Sequence, residues 1–210
     1  MRSYAHWTPR YLLARSREFF DQKLRPDDPW LTREAIGLLE RLLRPMDTAL
    51  EFGSGRSTIW FASRVGRLTS VEDNQSWHRV VSEKLAMKRV SNVNFLYHPQ
   101  DVQTGAEAGS ASYVRVVSEF ADESLDFVLV DGIYRNHCAL GAVPKVRPGG
   151  LIVIDNVNWF LPSTSRSPRA RTLAQGPADE VWAQFADATN GWRRIWTTSG
   201  VTDTLLLFKP

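Results

Sequence analysis

Short apolar runs in this chain repeatedly end on acids. Glu51 closes the first run and Glu72 the second, with Asp73 beside it. Asp101, Asp131 and Asp155-Asn156 follow three more. Acids also cap helices and fill turns, but five of them at the ends of successive apolar runs favour a site. After the first run comes Gly53-Ser54-Gly55-Arg56-Ser57-Thr58. Glycines let a backbone turn sharply and approach a ligand, and Ser57 and Thr58 stand at the mouth of the next helix, where free N–H groups attract a carboxylate or phosphate. Thr58 occupies the place of the third glycine in a dinucleotide loop, and no Gly-Lys-Ser/Thr ending is present for a nucleoside triphosphate. Glu72 follows the loop at roughly 20 residues, the distance at which an acid meets ribose hydroxyls. Loop and acid together specify a nucleoside-containing cofactor.

These residues need a scaffold that brings strand ends together. Residues 8–23 and 31–44 read as helices, the second with Leu31, Ala35, Leu38, Leu39, Leu42 and Leu43 on one face, Thr32 as its cap and Pro45 beyond its end. From residue 48 short apolar runs alternate with amphipathic stretches. Strands are expected at 48–52, 68–72, 93–98, 125–131 and 151–156, with helices at 56–65, 75–89, 112–120, 136–145 and 178–189. An RPGG turn precedes the fifth strand. LDFVLVD and LIVIDN are continuous apolar runs, as strands buried on both faces of a parallel sheet require. RRIWTTS and DTLLLFK form a closing antiparallel pair around Gly200. The expected fold is α/β: a Rossmann-like, doubly wound, seven-stranded sheet, mostly parallel, with a C-terminal antiparallel hairpin strand and helices on both faces. In such a sheet ligands bind beyond the carboxyl ends of the strands, where strand order reverses.

The motifs ExGxGxS, SVED, LDFVLVDG and VRPGGLIVIDN, in that order, resemble class I S-adenosylmethionine-dependent methyltransferases of small bacterial type. In part they are also similar to the catechol O-methyltransferase-like group. The resemblance covers residues 48–210 as the catalytic domain and leaves 1–47 as N-terminal helices capping the same domain. It implies that Gly53, Ser54, Gly55, Ser57 and Thr58 line the methionine end of the cofactor, with Glu51 supporting the loop. Glu72 would hold the ribose, with Asp73 and Asp101 near the adenine. Asp131 would sit by the amino group and the transferred methyl.

Methyl transfer from a sulfonium is an in-line displacement that needs alignment and exclusion of water, plus a base when the acceptor is a hydroxyl. Asp131, Tyr134, His137 and Asp155 are the candidates for that base. In the catechol-type group the acid after strand four and the Asp-Asn after strand five hold a divalent cation, and Asp131, Asp155 and Asn156 match those positions. Oxygen ligands of this kind suit magnesium. However, Tyr134 stands where a lysine is expected in that group, and Asp-Asn also occurs in methyltransferases without metal. Tyr134, Asn156, Trp159 and Phe160 are expected to meet the acceptor, and Tyr4, His6 and Trp7 to close over the cofactor. His78 reads as surface, and Cys138 as a packed small residue.

Composition narrows the partners. The chain has 210 residues, 43% hydrophobic and 23% charged, and a net charge of +3. No apolar run is long enough to span a membrane, and the arginines near the N-terminus break the apolar centre a secretory signal needs. A cytoplasmic enzyme follows as the expectation. The single cysteine excludes an internal disulfide. Arginines cluster only at 165–173. The expected partner is a small molecule, most simply a hydroxyl acceptor of glycan or natural-product metabolism. Nucleic acid is not expected, and a homodimer is allowed. Open alternatives are non-methyl chemistry on the same cofactor (cyclisation or aminocarboxypropyl transfer, releasing methylthioadenosine), an RNA-binding or RNA-methylating protein, and a binding module without turnover.

Overall fold

A computed structural model describes residues 8–103 and 105–210; Tyr4, His6 and Trp7 lie outside the described residues. Two helices lead in, α1 (Pro9–Leu24) and α2 (Arg33–Leu42), followed by β1 (Thr48–Phe52), α3 (Arg56–Ala62), β2 (Arg67–Glu72), α4 (Gln75–Met87) and β3 (Val93–Tyr97). Then come α5 (Ser112–Arg115), β4 (Leu125–Val130), α6 (Arg135–Lys145), β5 (Val146–Asp155), α7 (Glu180–Ala188), β6 (Arg193–Thr198) and β7 (Asp203–Phe208). The sheet has seven strands in the order β3-β2-β1-β4-β5-β7-β6. Strands β1 to β5 pair in parallel, and β7 runs antiparallel between β5 and β6. The chain therefore reverses its direction of travel across the sheet at β1 and β4, the switch point where such sheets open a crevice.

Burial explains the order. Phe127, Val128, Leu129 and Val130 of β4, at the centre, are almost wholly buried, as a strand covered by helices on both faces must be. On one face Leu31, Ala35, Ile36, Leu39 and Leu43, in and beside α2, pack with Trp60 and Phe61 of α3 against Phe127, Leu129 and Leu206. On the other, Cys138, Ala139 and Ala142 of α6 and Trp182 and Phe185 of α7 pack against Val128, Val130 and Ile152. Each such large apolar side chain contributes about 1.5–3 kcal/mol. Helix α2 is thus part of the core. Helix α1 is not: it buries no side chain, and Leu12, Leu13, Phe19, Phe20 and Leu24 are exposed.

Three expectations are corrected. The helix at 56–65 stops at Ala62, and the helix at 112–120 is an α-turn through Arg115 followed by a 3-10 segment, Val116–Glu119. The RPGG stretch lies inside β5: the pairing with β4 jumps from Leu125–Val146 to Phe127–Leu151. It is a bulge, with Gly149 at φ 77°.

Candidate functional site

The carboxyl ends of β1, β2, β4 and β5 meet at one edge. The Gly53 N–H donates to the Val71 carbonyl (3.0 Å) and the Asp131 N–H to that of Phe52 (2.8 Å), so three strand ends are tied within two residues of the glycine loop. Gly53 has φ 93°, and a Cβ there would fall 2.6 Å from the Gly132 nitrogen. A Cβ on Gly132 would lie 1.9 Å from the Tyr113 hydroxyl. Two bare backbones therefore press together over a buried tyrosine. Gly55 differs: its φ of 165° is extended backbone, and a Cβ would meet only Trp77, at 3.8 Å. Gly53 makes the turn, while Gly55 would accept a Cβ in ordinary contact with the Trp77 ring.

Glu72 is buried and already engaged. Its Oε2 accepts from the Ser54 amide (3.2 Å) and hydroxyl (2.6 Å), and its Oε1 from the Asn74 amide (2.9 Å). The loop is latched from outside as well, by the Trp77 indole N–H donating to the Ser54 carbonyl (2.9 Å). Asp73 lies beside Glu72; burial first, then the Glu72 charge, raise its pKa. Glu51 is fully buried under the loop. Its Oε2 accepts from the hydroxyls of Thr58 and Ser70, both at 2.6 Å, while Oε1 has no partner among the described residues. Burial pushes its carboxyl up to about 7, against the lowering effect of nearby hydroxyls that include Ser57. Arg56 brings a second such group: its buried Nη1 has no partner among the described residues, while the guanidinium lies over Trp30 (5.1 Å).

These features fit S-adenosylmethionine. Glu72 retains one lone pair for a ribose hydroxyl, and an acceptor and a cationic donor without partners among the described residues flank the loop that would receive an amino acid end. Asp101 is exposed, and both its oxygens accept from the Ser112 amide; the Ser112 hydroxyl first, and then this amide, lower its pKa.

Beyond Gly132 a cleft of about 590 Å³ opens, lined by Tyr134, Arg135, His137, Trp159, Phe160 and Trp182 among others. Phe160 stacks on Trp182 (5.0 Å) and meets Trp159 edge-on (6.2 Å). His137 is half-buried, its ring packed against Gly109. Tyr134 is held in the left-handed region (φ 48°) and its hydroxyl donates to the Val102 carbonyl. Asp155 is buried and accepts from the Thr204 hydroxyl (3.0 Å). Burial, then the charge of Asp131, pushes its pKa well up.

The expected cation position is already filled by a side chain. Arg135 donates to the Asp155 carbonyl and Asn156 Oδ1 through Nη1 (2.7 and 3.2 Å) and to the Asp131 carbonyl through Nη2 (2.6 Å), and it pairs with the Asp131 carboxylate (2.9 Å). Asn156 Nδ2 donates to Thr202 (2.6 Å). The donor set does not fit magnesium: a guanidinium takes the Asp131 carboxylate and Asn156 Oδ1, and Thr204 donates to the Asp155 carboxylate. No group of three or more His, Cys, Asp or Glu is arranged to hold a metal among the described residues.

Arg135, Tyr113, Trp77 and Arg56 were not singled out from the sequence as site residues. Arg135 did carry a signal, standing four residues after Asp131 at the spacing of a helical ion pair. Tyr113 and Trp77 carried none, because their partners lie on other elements.

A family model described as a methyltransferase domain matches residues 50–157, about half of the chain. Solved structures share the fold. A methyltransferase-like protein from Silicibacter pomeroyi is 20% identical over 87% of this chain and 89% of its own, with a TM-score of 0.58. A candidate caffeoyl-CoA O-methyltransferase from Staphylococcus aureus is 15% identical over 99% and 95%, with a TM-score of 0.56. A methyltransferase candidate from Streptococcus mutans, in complex with SAH, is 8% identical over 83% and 94%, with a TM-score of 0.52. No curated protein sequence matches. Fold and sheet edge define the class, that of the S-adenosylmethionine-dependent class I methyltransferases. Within it the chain belongs to the methyltransferase-domain family whose model spans residues 50–157.

Proposed function

We propose that this enzyme methylates a hydroxyl on a small, largely apolar acceptor seated in the cleft beside Gly132. The observation that carries this reading is the position of the cleft: its aromatic wall, Trp159, Phe160 and Trp182, lies beside the two glycines where the loops after β1 and β4 touch. Flat side chains supply large contact area to an apolar acceptor.

Bound S-adenosylmethionine supplies an electrophilic methyl on a sulfonium. The chain's own residues do the rest. Glu72 and Asp73 hold the ribose side, Arg56 and the Gly53–Gly55 loop the amino acid end, and Asp131 the amino group. His137 is the base. Of the four candidates it is the one whose ring faces the cleft with no hydrogen bond among the described residues, whereas the Tyr134 hydroxyl is bound to Val102, Asp155 is buried against Thr204 and Asp131 is paired with Arg135. The aromatic wall excludes water and aligns the acceptor, which is most of what an in-line displacement asks of a protein.

In the arginine-rich loop Arg171 donates to the carbonyls of Gly176, Gln175 and Pro177, and Arg169 lies over Trp159 (5.3 Å), so both support the wall of the cleft. No helix among the described residues is long and apolar enough to cross a membrane, in keeping with action in the cytoplasm. The test is incubation with S-adenosylmethionine and a panel of hydroxylated aromatic and sugar acceptors, read by mass spectrometry. Formation of S-adenosylhomocysteine with a methylated hydroxyl is expected; methylthioadenosine as the product would overturn the reading.

A further inference from the structure

Arg135 meets five oxygens. A guanidinium carries five N–H donors and no acceptor. Here Nε donates to the Gly132 carbonyl (2.9 Å). Nη1 reaches the Asp155 carbonyl and Asn156 Oδ1, and Nη2 reaches the Asp131 carbonyl and carboxylate. Four hydrogen bonds and one ion pair result, and the oxygens come from the end of β5 and the loops that follow β4 and β5. Carboxylate, amide and carbonyl oxygens converging on one point are the ligands a hard divalent cation takes. In this chain they converge on a side chain that is always charged and cannot leave.

We propose that Arg135 is a built-in cation that replaces a divalent metal ion at this edge. It locks the loops after β4 and β5 in one geometry and closes the position to metal. A second positive charge of two units would have to enter among oxygens already committed to a cation, and the attraction that would draw it in is cancelled by the guanidinium. Arg135 also helps hold Asn156, which adopts a left-handed φ of 51°. Arg135 lines the cleft, but its hydrogen bonds go to protein oxygens; it is a positioning residue that acts through Asp131 and Asn156.

Seen from the reaction, this rests on the methyltransferase reading above: the acceptor hydroxyl loses its proton to a side chain without a metal ion to acidify it. The cation replacement itself depends only on Arg135 and its five oxygens, so it can be tested with neither cofactor nor acceptor present.

The experiment is a Mn2+ titration followed by electron paramagnetic resonance on the full chain. The wild type is expected to bind no equivalent of Mn2+ at millimolar concentration, and its turnover to change less than twofold with EDTA. Arg135→Ala, shown folded by circular dichroism, is expected to bind one equivalent of Mn2+ and to lose it when Asp131→Asn is added. Its turnover should fall at least tenfold and be partly restored by millimolar guanidinium, a rescue that a purely space-filling role would not allow. Stoichiometric Mn2+ binding by the wild type that Asp131→Asn abolishes would overturn the proposal. So would a folded Arg135→Ala that binds no Mn2+. Should Arg135→Ala fail to fold, the wild-type titration and its Asp131→Asn control decide alone. A protein that passes the Mn2+ tests yet methylates nothing would sink the acceptor reading and leave this one standing.

Discussion

Glu51 allows a measurement whose sign and size both follow from the structure. Its carboxyl is fully buried, with one oxygen bound by two hydroxyls and the other by nothing. Burial raises its pKa from the ordinary 4.5 to about 7. Between those values the folded apoprotein binds a proton that the unfolded chain has released. This group's contribution is therefore fully present below about 4.5 and is lost as pH rises through 7. At about 1.4 kcal/mol per pH unit the total loss is ~3 kcal/mol, of which ~2.5 falls between pH 5 and 8. Glu51→Gln keeps the shape and fixes the side chain in the neutral state. Urea unfolding of both proteins, without cofactor, at pH 5, 6, 7 and 8 isolates the effect, because all other titrating groups cancel in the difference. The variant should gain on the wild type by about 2–3 kcal/mol across that range. A difference constant to within ~0.5 kcal/mol would refute the claim that burial holds this carboxyl neutral.

Other expectations follow from the same geometry. Glu72→Ala should weaken S-adenosylhomocysteine binding by about 100-fold or more in calorimetry, since it removes charge-assisted bonds to the ribose and the latch on Ser54; unchanged affinity would overturn the ribose assignment. Gly53→Ala should destabilise the fold by about 2–3 kcal/mol in urea, because its φ is positive and its Cβ meets Gly132. Gly55→Ala, whose Cβ would make only ordinary contact with Trp77, should leave the unfolding midpoint almost unchanged, a contrast that separates the two glycines. His137→Gln should lower kcat by about 100-fold or more with KM altered less than threefold, and equal turnover would remove His137 from the role of base.

The sheet was legible because a strand buried on both faces must be continuously apolar, and LDFVLV and LIVI are. The places where local pattern failed depend on neighbours. RPGG reads as a turn by composition, yet it is a bulge because Val146 pairs with Leu125 before Leu151 pairs with Phe127. Gly53 and Gly55 look alike in the string, and only the approach of Gly132 tells them apart.

The site divides in the same way. By itself the sequence determined that acids stand at successive strand ends and that a glycine loop precedes Glu72, because these relations are local or follow from the βα repeat. Only the tertiary structure decided what each acid is bound to. Glu72 is latched to Ser54, Glu51 is half-orphaned beneath Thr58, and Asp131 and Asn156 are held by Arg135. Asp131, Asp155 and Asn156, which suggested a metal site, stand together at this edge; what the string could not show is the guanidinium that takes Asp131 and Asn156. Charge partners are chosen by distance in space, and one positive group placed among five oxygens leaves no place for another.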